Sequence, residues 1–517
     1  MRIGFANIYS WRPHVEHLYY LAHLVEEAGQ EIAFLTCDSS VSDCYTRLLK
    51  GKSRLKECPA CMLGGVRSYP VSNVTSISRG KGRLDIDTLD KIALSSSCTL
   101  TRTESELEWH EPQVEALRRR LHDPVAAAYE SAMRWIADER LEGVICFNGR
   151  MDMTAAVILA CEHSTTPYVT HERSWFGDGL YLNPNANCLS LRAISAMVQS
   201  FDDKPLTAPQ AALAGRLAAE RFLRSNRLEW RLYNKDPVSA SWPISHDDPR
   251  VLVVPSSKNE FAGQPEWRSD WHENTQALDE LMTALAIRPE QVVVRCHPNW
   301  AETIGVVEGN RSLRHYKEWC AARGIHCISS EEKLSTYDLI EQADIVILNG
   351  GSSAVEAGVL GKQIYSLGPS FYKDAGFLHN ILDRRGLDDP GMRTPLDPMT
   401  VVRKTMRFLY LNARRFPQFT DYVEAVETTH YRYFEGADPQ RLINLLKSGM
   451  LEADDPSFAG DDSAETPVAN ALLARDWQSL MSFTPERPEL HRLDLGRRRG
   501  LRWLDRARAR MPKGDII

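Results

Sequence analysis

The chain has 517 residues, enough for two or three domains, and its 43% apolar and 25% charged residues are ordinary for a globular protein. A net charge of −7 excludes a global basic field of the kind that binds nucleic acid. No apolar run reaches the roughly 18–20 residues of a membrane span, the opening "MRIGFANIYSW" reads as a strand without a signal-peptide core, and a cytoplasmic location is expected.

In chain order, Ile3 to Ile8 reads as a strand, His14 to Ala28 as a helix and "EIAFLTC" as a second strand, which makes a βαβ start. Residues of about 37–110 are rich in Ser, Lys, Arg and Cys and read as an irregular insertion with one helix near Ile86 to Ala93. Apolar positions at helical spacing predict a long helix from Gln113 to Arg140. The strand "GVICFN", a helix over Met153 to Glu162, the strand "PYVTHE" and a helix over Pro209 to Ser225 follow. The three prolines and the turn formers of "YNKDPVSASWPISHDDPR" mark an interdomain linker.

The pattern then restarts. "RVLVVPS", "QVVVRCHP", "HCISS", "DIVILNGG" and "KQIYSLG" read as strands, and the stretches between them read as helices. Such alternation predicts a parallel sheet covered on both faces. Helices are expected at Pro398 to Asn412 and Pro417 to Phe434, and the acidic, small-residue stretch 452–466 reads as a flexible linker. The expected units are 1–235, 248–435 and a linker with a basic tail at 452–517.

Three strand ends of the second half fall on one sheet edge: "PSSKNEF", "RCHPNW" and "NGGSS". Lys258, Arg295, His297 and the hydroxyls of Ser352 and Ser353 would there suit a diphosphate or phosphodiester leaving group, because cations and oriented donors stabilise the charge that develops on departure. A capping box formed by Ser353 and Glu356 is the alternative reading of the same helix start. From the first half, His14, His17, Asn148, Arg150, Glu172 and Asp178 follow strands and are candidates to deprotonate an acceptor or stabilise a sugar cation. Glu172 stands beside Trp175 and Phe176, which could stack on a sugar face.

Strand–His–Pro followed by strand–Ser–Ser–x–x–Glu–Ala, best over about 250–376, resembles GT-B glycosyltransferases of bacterial capsule and surface polysaccharide biosynthesis, above all the capsule transferases that use CMP-Kdo. The resemblance implies two Rossmann-like domains facing a cleft, an acceptor site on the first and a nucleotide-sugar site on the second. It further implies that His297, Ser352 and Ser353 contact the donor phosphate and that Glu356 binds the donor ribose. Protein donors would stand in for a catalytic metal. The HP motif is shared with CDP-polyol phosphotransferases of teichoic-acid type, which remain an alternative, as does a non-catalytic GT-B-like glycan- or partner-binding protein.

Two features stand apart. Among eleven cysteines, Cys37, Cys44, Cys58 and Cys61 are spaced so that they could hold a structural zinc within the insertion, or remain ordinary thiols. "GRRRGLRWLDRARARMPK" carries seven arginines between 497 and 510 around a Trp, which reads as a peripheral membrane contact or a docked basic tail.

Overall fold

The computed structural model describes residues 1–78, 84–226, 238–245, 249–301, 303–304, 307–308 and 310–509. Residues 233–237 and 246–248 of the predicted linker and the end of the basic tail lie outside the described residues.

The first sheet contains β1 (Arg2–Asn7), β2 (Glu31–Cys37), β3 (Val74–Ile77), β4 (Gly143–Phe147), β5 (Tyr168–Arg173) and β6 (Leu180–Pro184). They lie in the order β3-β2-β1-β4-β5-β6, parallel except for β6. β1 and β4 are central, with buried residues on both faces. Gly4 is required there, because a Cβ would run into the Trp135 indole of the helix His122–Glu139.

β7 (Val251–Val254) and β8 (Val292–Arg295) open the second half. A small hairpin, β9 (Thr303–Ile304) and β10 (Val307–Glu308), is set apart from the sheet. β11 (His326–Ile328), β12 (Ile345–Leu348), β13 (Gln363–Ser366) and β14 (His379–Asn380) complete an all-parallel sheet in the order β11-β8-β7-β12-β13-β14. Each sheet therefore repeats the doubly wound order 3-2-1-4-5-6, with its topological switch at β1/β4 and β7/β12. Two such Rossmann-like domains form the GT-B architecture expected from the sequence.

Several expectations need correction. The segment read as irregular contains β3 and the helices Tyr45–Lys50 and Arg54–Gly64. The long helix over Gln113 to Arg140 is two helices, Pro112–Arg120 and His122–Glu139, which meet at Leu121. The helix expected over 417–434 is a hairpin, β15 (Val423–Glu427) and β16 (His430–Tyr433). In β16, Tyr431 and Tyr433 are buried while His430 and Arg432 are exposed, a period of two that only a strand can place. Residues 452–466 are a docked strap rather than a flexible linker. Asp454 accepts the N–H groups of Phe419 and Thr420 at 3.1 and 3.0 Å, Asp455 accepts Gln210 Nε2 at 2.9 Å, and Glu465 is fully buried.

Packing also divides the chain differently from cuts at 235 and 248. The helices Arg192–Phe201 and Ala208–Phe222 share a core with β7 and β12 of the second sheet. The hairpin and the helix Pro439–Ser448 share one with β1 and the helix His14–Glu27 of the first.

Candidate functional site

On the second sheet, Asn349 clamps the switch point. Its Oδ1 accepts the Ser256 N–H at 2.7 Å and the Ser256 hydroxyl at 2.9 Å, and its Nδ2 donates to the Ser256 carbonyl at 3.1 Å. The chain then turns through Gly350 at φ +101°, where a Cβ would stand 2.7 Å from the Pro369 carbonyl oxygen. Ser352 caps the helix Ser353–Val359 without a side-chain capping bond, so the predicted capping box does not form. Glu356 is instead buried and ion-paired to Arg221, which commits the carboxylate expected to bind ribose.

His297 follows β8 half-buried, and its Nδ1 accepts the Asn299 N–H at 3.2 Å. Trp300 Nε1 donates to Ser257 Oγ at 2.8 Å, which ties this loop to the one after β7. The Lys258 amine lies against Gly368 beside the Asn349 carbonyl. Burial pushes its ammonium down to about 8, with Glu104 acting in the opposite sense. Arg295 corrects the sequence reading: it is 3% exposed, and its terminal nitrogens donate to the carbonyls of Cys296, Ser329 and Glu332 at 3.1, 2.8 and 2.9 Å. It staples the ends of β8 and β11 rather than facing a phosphate.

A cavity of about 180 Å³ opens beside this edge, between the domains, with Glu104, Trp109, Lys258, Trp271, Trp300 and Tyr316 among its walls. Of the six residues predicted to bind the donor, only Lys258 lines it. The wall at 104–109 comes from the first domain. Glu104 accepts the Lys258 N–H and, at 3.2 Å, Asn259 Nδ2; Arg311 pairs with Glu108 at 3.0 Å. Sequence reasoning missed this wall, because nothing in "TESELEWHE" separates a surface acidic run from an interdomain one.

On the first sheet, three predicted residues converge. Glu172, at the end of β5, accepts Asn148 Nδ2 at 3.0 Å on one oxygen, while the other lies 3.3 Å from His14 Nε2. The His14 ring packs 4.0 Å from that of Phe147. Burial holds His14 well below the usual imidazole range, so it stands neutral beside Glu172. Glu172 keeps 25% of its side-chain surface, against 6% for His14. Arg150 departs from the expectation. It is buried, donates to Ser95 and Thr99 at 2.9 and 3.3 Å, and pairs with Glu260 of the second domain at 3.4 Å, so it bridges the domains. Trp175 and Phe176 pack on each other, and Trp175 also packs on Phe371. Asp178 is held by the Ala425 N–H and by Arg487, both at 2.8 Å.

Behind Glu172, His14, His17 and His171 lie with ring centroids 6.0–6.4 Å apart. Burial lowers all three, His171 to about 3. The unfolded chain therefore binds protons below about pH 6.5 that the native state refuses, and stability falls with acidification. Each histidine contributes a loss of about 1.4 kcal/mol per pH unit below that point. Urea midpoints at pH 7.5 and 5.5 should show this loss. Replacing both His17 and His171 by Phe should flatten the slope, and an unchanged slope would refute the assignment.

Cys37, Cys44, Cys58 and Cys61 line one apolar cavity of about 20 Å³. Burial pushes the Cys37 and Cys44 thiols up to about 11 and 12, which favours the neutral form. Among the described residues, no three His, Cys, Asp or Glu side chains are grouped to hold a metal ion, so of the two readings of these cysteines the arrangement fits ordinary thiols.

No family model matches the chain. No curated protein matches it. Among solved structures it is similar to the Thermosulfurimonas dismutans KpsC beta Kdo 2,4 transferase (14% identity, 64% of this chain and 87% of that one, TM-score 0.33). It is also similar to the Methanocaldococcus jannaschii UDP-GlcNAc 2-epimerase in complex with UDP-GlcNAc and UDP (10% identity, 87% and 100%, TM-score 0.30). Acinetobacter baumannii MurG is a further neighbour (13% identity, 78% and 98%, TM-score 0.24). Likenesses at this level carry no argument about activity, and the fold assignment stands on the two strand orders.

Proposed function

We propose that the chain is a GT-B glycosyltransferase that moves a sugar from a nucleotide-activated donor, CMP-linked by the resemblance noted above, to a growing bacterial surface polysaccharide or its lipid-linked primer at the cytoplasmic face of the membrane. The observation that carries this reading is the Glu172 carboxylate, oriented by Asn148 and His14 on the carboxyl edge of the first sheet. That edge belongs to a domain bridged to the strand-end loop after β7 through Arg150 and Glu260.

In this reading Glu172 takes the proton from an acceptor hydroxyl as its oxygen bonds the sugar carbon, and the bond from that carbon to the donor phosphate oxygen breaks. His297, Lys258 and the hydroxyls of Ser352 and Ser353 would stabilise the departing phosphate. The basic C-terminus would supply the peripheral membrane contact.

A thermal-shift screen against CMP, CDP, UDP, GDP and ADP tests the donor side, since a ligand that binds only the native state raises Tm. One nucleotide should raise Tm in the parent and not in His297→Ala. A shift retained in the variant would remove His297 from the site, and no shift with any nucleotide would sink the transferase reading.

A further inference from the structure

Four of the exposed large apolar side chains gather at one corner of the first domain: Leu55, Met62 and Leu63 on the helix Arg54–Gly64, and Trp503 on the helix Arg502–Ala509. Leu55 is 87% exposed and Trp503 60%. Leu55 and Met62 are seven residues apart, two helical turns, and so lie along one line of the helix. Of that helix only Glu57 is buried; Cys58, Cys61 and Gly64 are half-buried against the domain, and the other seven residues are exposed.

The two helices are joined through one side chain. Arg497 is buried, donates to the Leu63 carbonyl, and pairs with Asp505 of the second helix at 2.8 Å. Arg12 pairs with the same Asp505 at 2.7 Å. The basic tail is thus fastened to the first domain, and Trp503 remains outside.

The charge at this corner is opposite to that of the whole chain. Residues 50–67 and 497–507 together hold ten Lys and Arg and two carboxylates, in a chain of net charge −7. Both carboxylates, Glu57 and Asp505, are already paired to cations. Lys52, Arg54, Lys56, Arg499, Arg502 and Arg506 are exposed around the apolar side chains. Exposed leucine, methionine and tryptophan ringed by cations match an anionic bilayer, where the apolar groups enter the headgroup boundary and the cations meet lipid phosphates. No helix among the described residues is long and apolar enough to cross a membrane, so contact here is from the surface.

We propose that this two-helix corner seats the protein on an anionic lipid bilayer, with Leu55, Met62, Leu63 and Trp503 as the inserting groups. The corner also sets the orientation. Past the end of the helix Arg54–Gly64, the Val66 N–H donates to Asn7 Oδ1 at 2.9 Å, and Asn7 is the last residue of β1. The seated corner thus adjoins the same carboxyl edge that carries Glu172, so an amphiphilic acceptor held in the bilayer would be presented to the first domain. The bilayer contact deepens the peripheral membrane contact of the proposed function and rests on it, but it is measured without donor or acceptor, so either can fail alone.

The test is co-sedimentation of the full chain with phosphatidylcholine vesicles, with and without about one-third phosphatidylglycerol. The parent should pellet with the anionic vesicles, less so in high salt, and stay in solution with the neutral ones. Leu55→Asp/Met62→Asp/Trp503→Asp should weaken binding at least about tenfold with an unchanged melting temperature. If that variant does not fold, Lys56→Glu/Arg499→Glu, which touches only exposed side chains, should show the same loss at low salt. A parent that stays in the supernatant, or variants that bind as the parent does, overturns the proposal. So does a parent dimer that the variants dissolve without any vesicle binding, because the corner would then meet a second copy.

Discussion

Replacing Glu172 by glutamine is expected to lower transfer turnover by roughly 10²–10⁴-fold, the range that a positioned general base supplies. The amide keeps the shape and can still meet Asn148 and His14, which contact Glu172 at 3.0 and 3.3 Å, so folding should be preserved. The nucleotide-dependent rise in Tm should survive as well, since Glu172 stands on the first sheet and the proposed donor side is on the second. Steady-state transfer assays paired with thermal shifts separate the outcomes. Lost turnover with intact nucleotide binding supports the role of a base. Turnover within a factor of about three of the parent would move proton abstraction away from this carboxylate. His14→Gln should lower turnover less than Glu172→Gln, because His14 acts through Glu172; turnover equal to that of the parent would reduce it to packing.

Glu465→Ala is expected to cost about 3–5 kcal/mol of stability, the cost of breaking a buried ion pair from one side. Glu465 accepts Arg407 Nε and Nη2, each at 2.9 Å, and the Leu206 N–H at 2.7 Å. Its removal leaves Arg407 buried with only Asp462, at 3.2 Å, and the Asp202 carbonyl, at 3.0 Å. The backbone N–H of Leu206 loses its acceptor in the same step. Urea unfolding should show a lower midpoint at nearly unchanged slope. A loss below about 1 kcal/mol would show that water reaches Arg407 and that the strap is held elsewhere.

The strands were legible wherever the sheet buries both faces. "VLVV", "VVVR" and "IVIL" are short β-branched runs that no helix of ordinary length could explain, and they lie within a residue or two of the expected places. β3 was lost because "VTSI" is short and polar, as befits an edge strand. The strap at 452–466 misled because acidic, small residues compose both solvated linkers and side-chain acceptors. Only the partners distinguish them, here Tyr410, Gln210 and Arg407. The same ambiguity governs the site. A cation at a strand end reads as a phosphate ligand, and Arg295 and Arg150 satisfy the pattern while spending their donors on carbonyls, hydroxyls and a carboxylate. Glu172, expected just past its strand, lies one residue short of the end of β5, so its place on that sheet edge was legible from the strand pattern.

The helix Pro439–Ser448 and the hairpin before it rest on the first sheet: Leu446 lies against Gly143, and the Tyr433 hydroxyl meets His17 Nδ1 at 2.9 Å. A ribosome makes β1 long before it makes Leu446. The nascent first domain must wait, with an apolar flank uncovered, until nearly the whole second domain has been synthesised. Recombinant halves divided near the linker would each carry a bare surface meant for the other. Co-expressed, they should find one another; expressed singly, they would call on chaperones or aggregate.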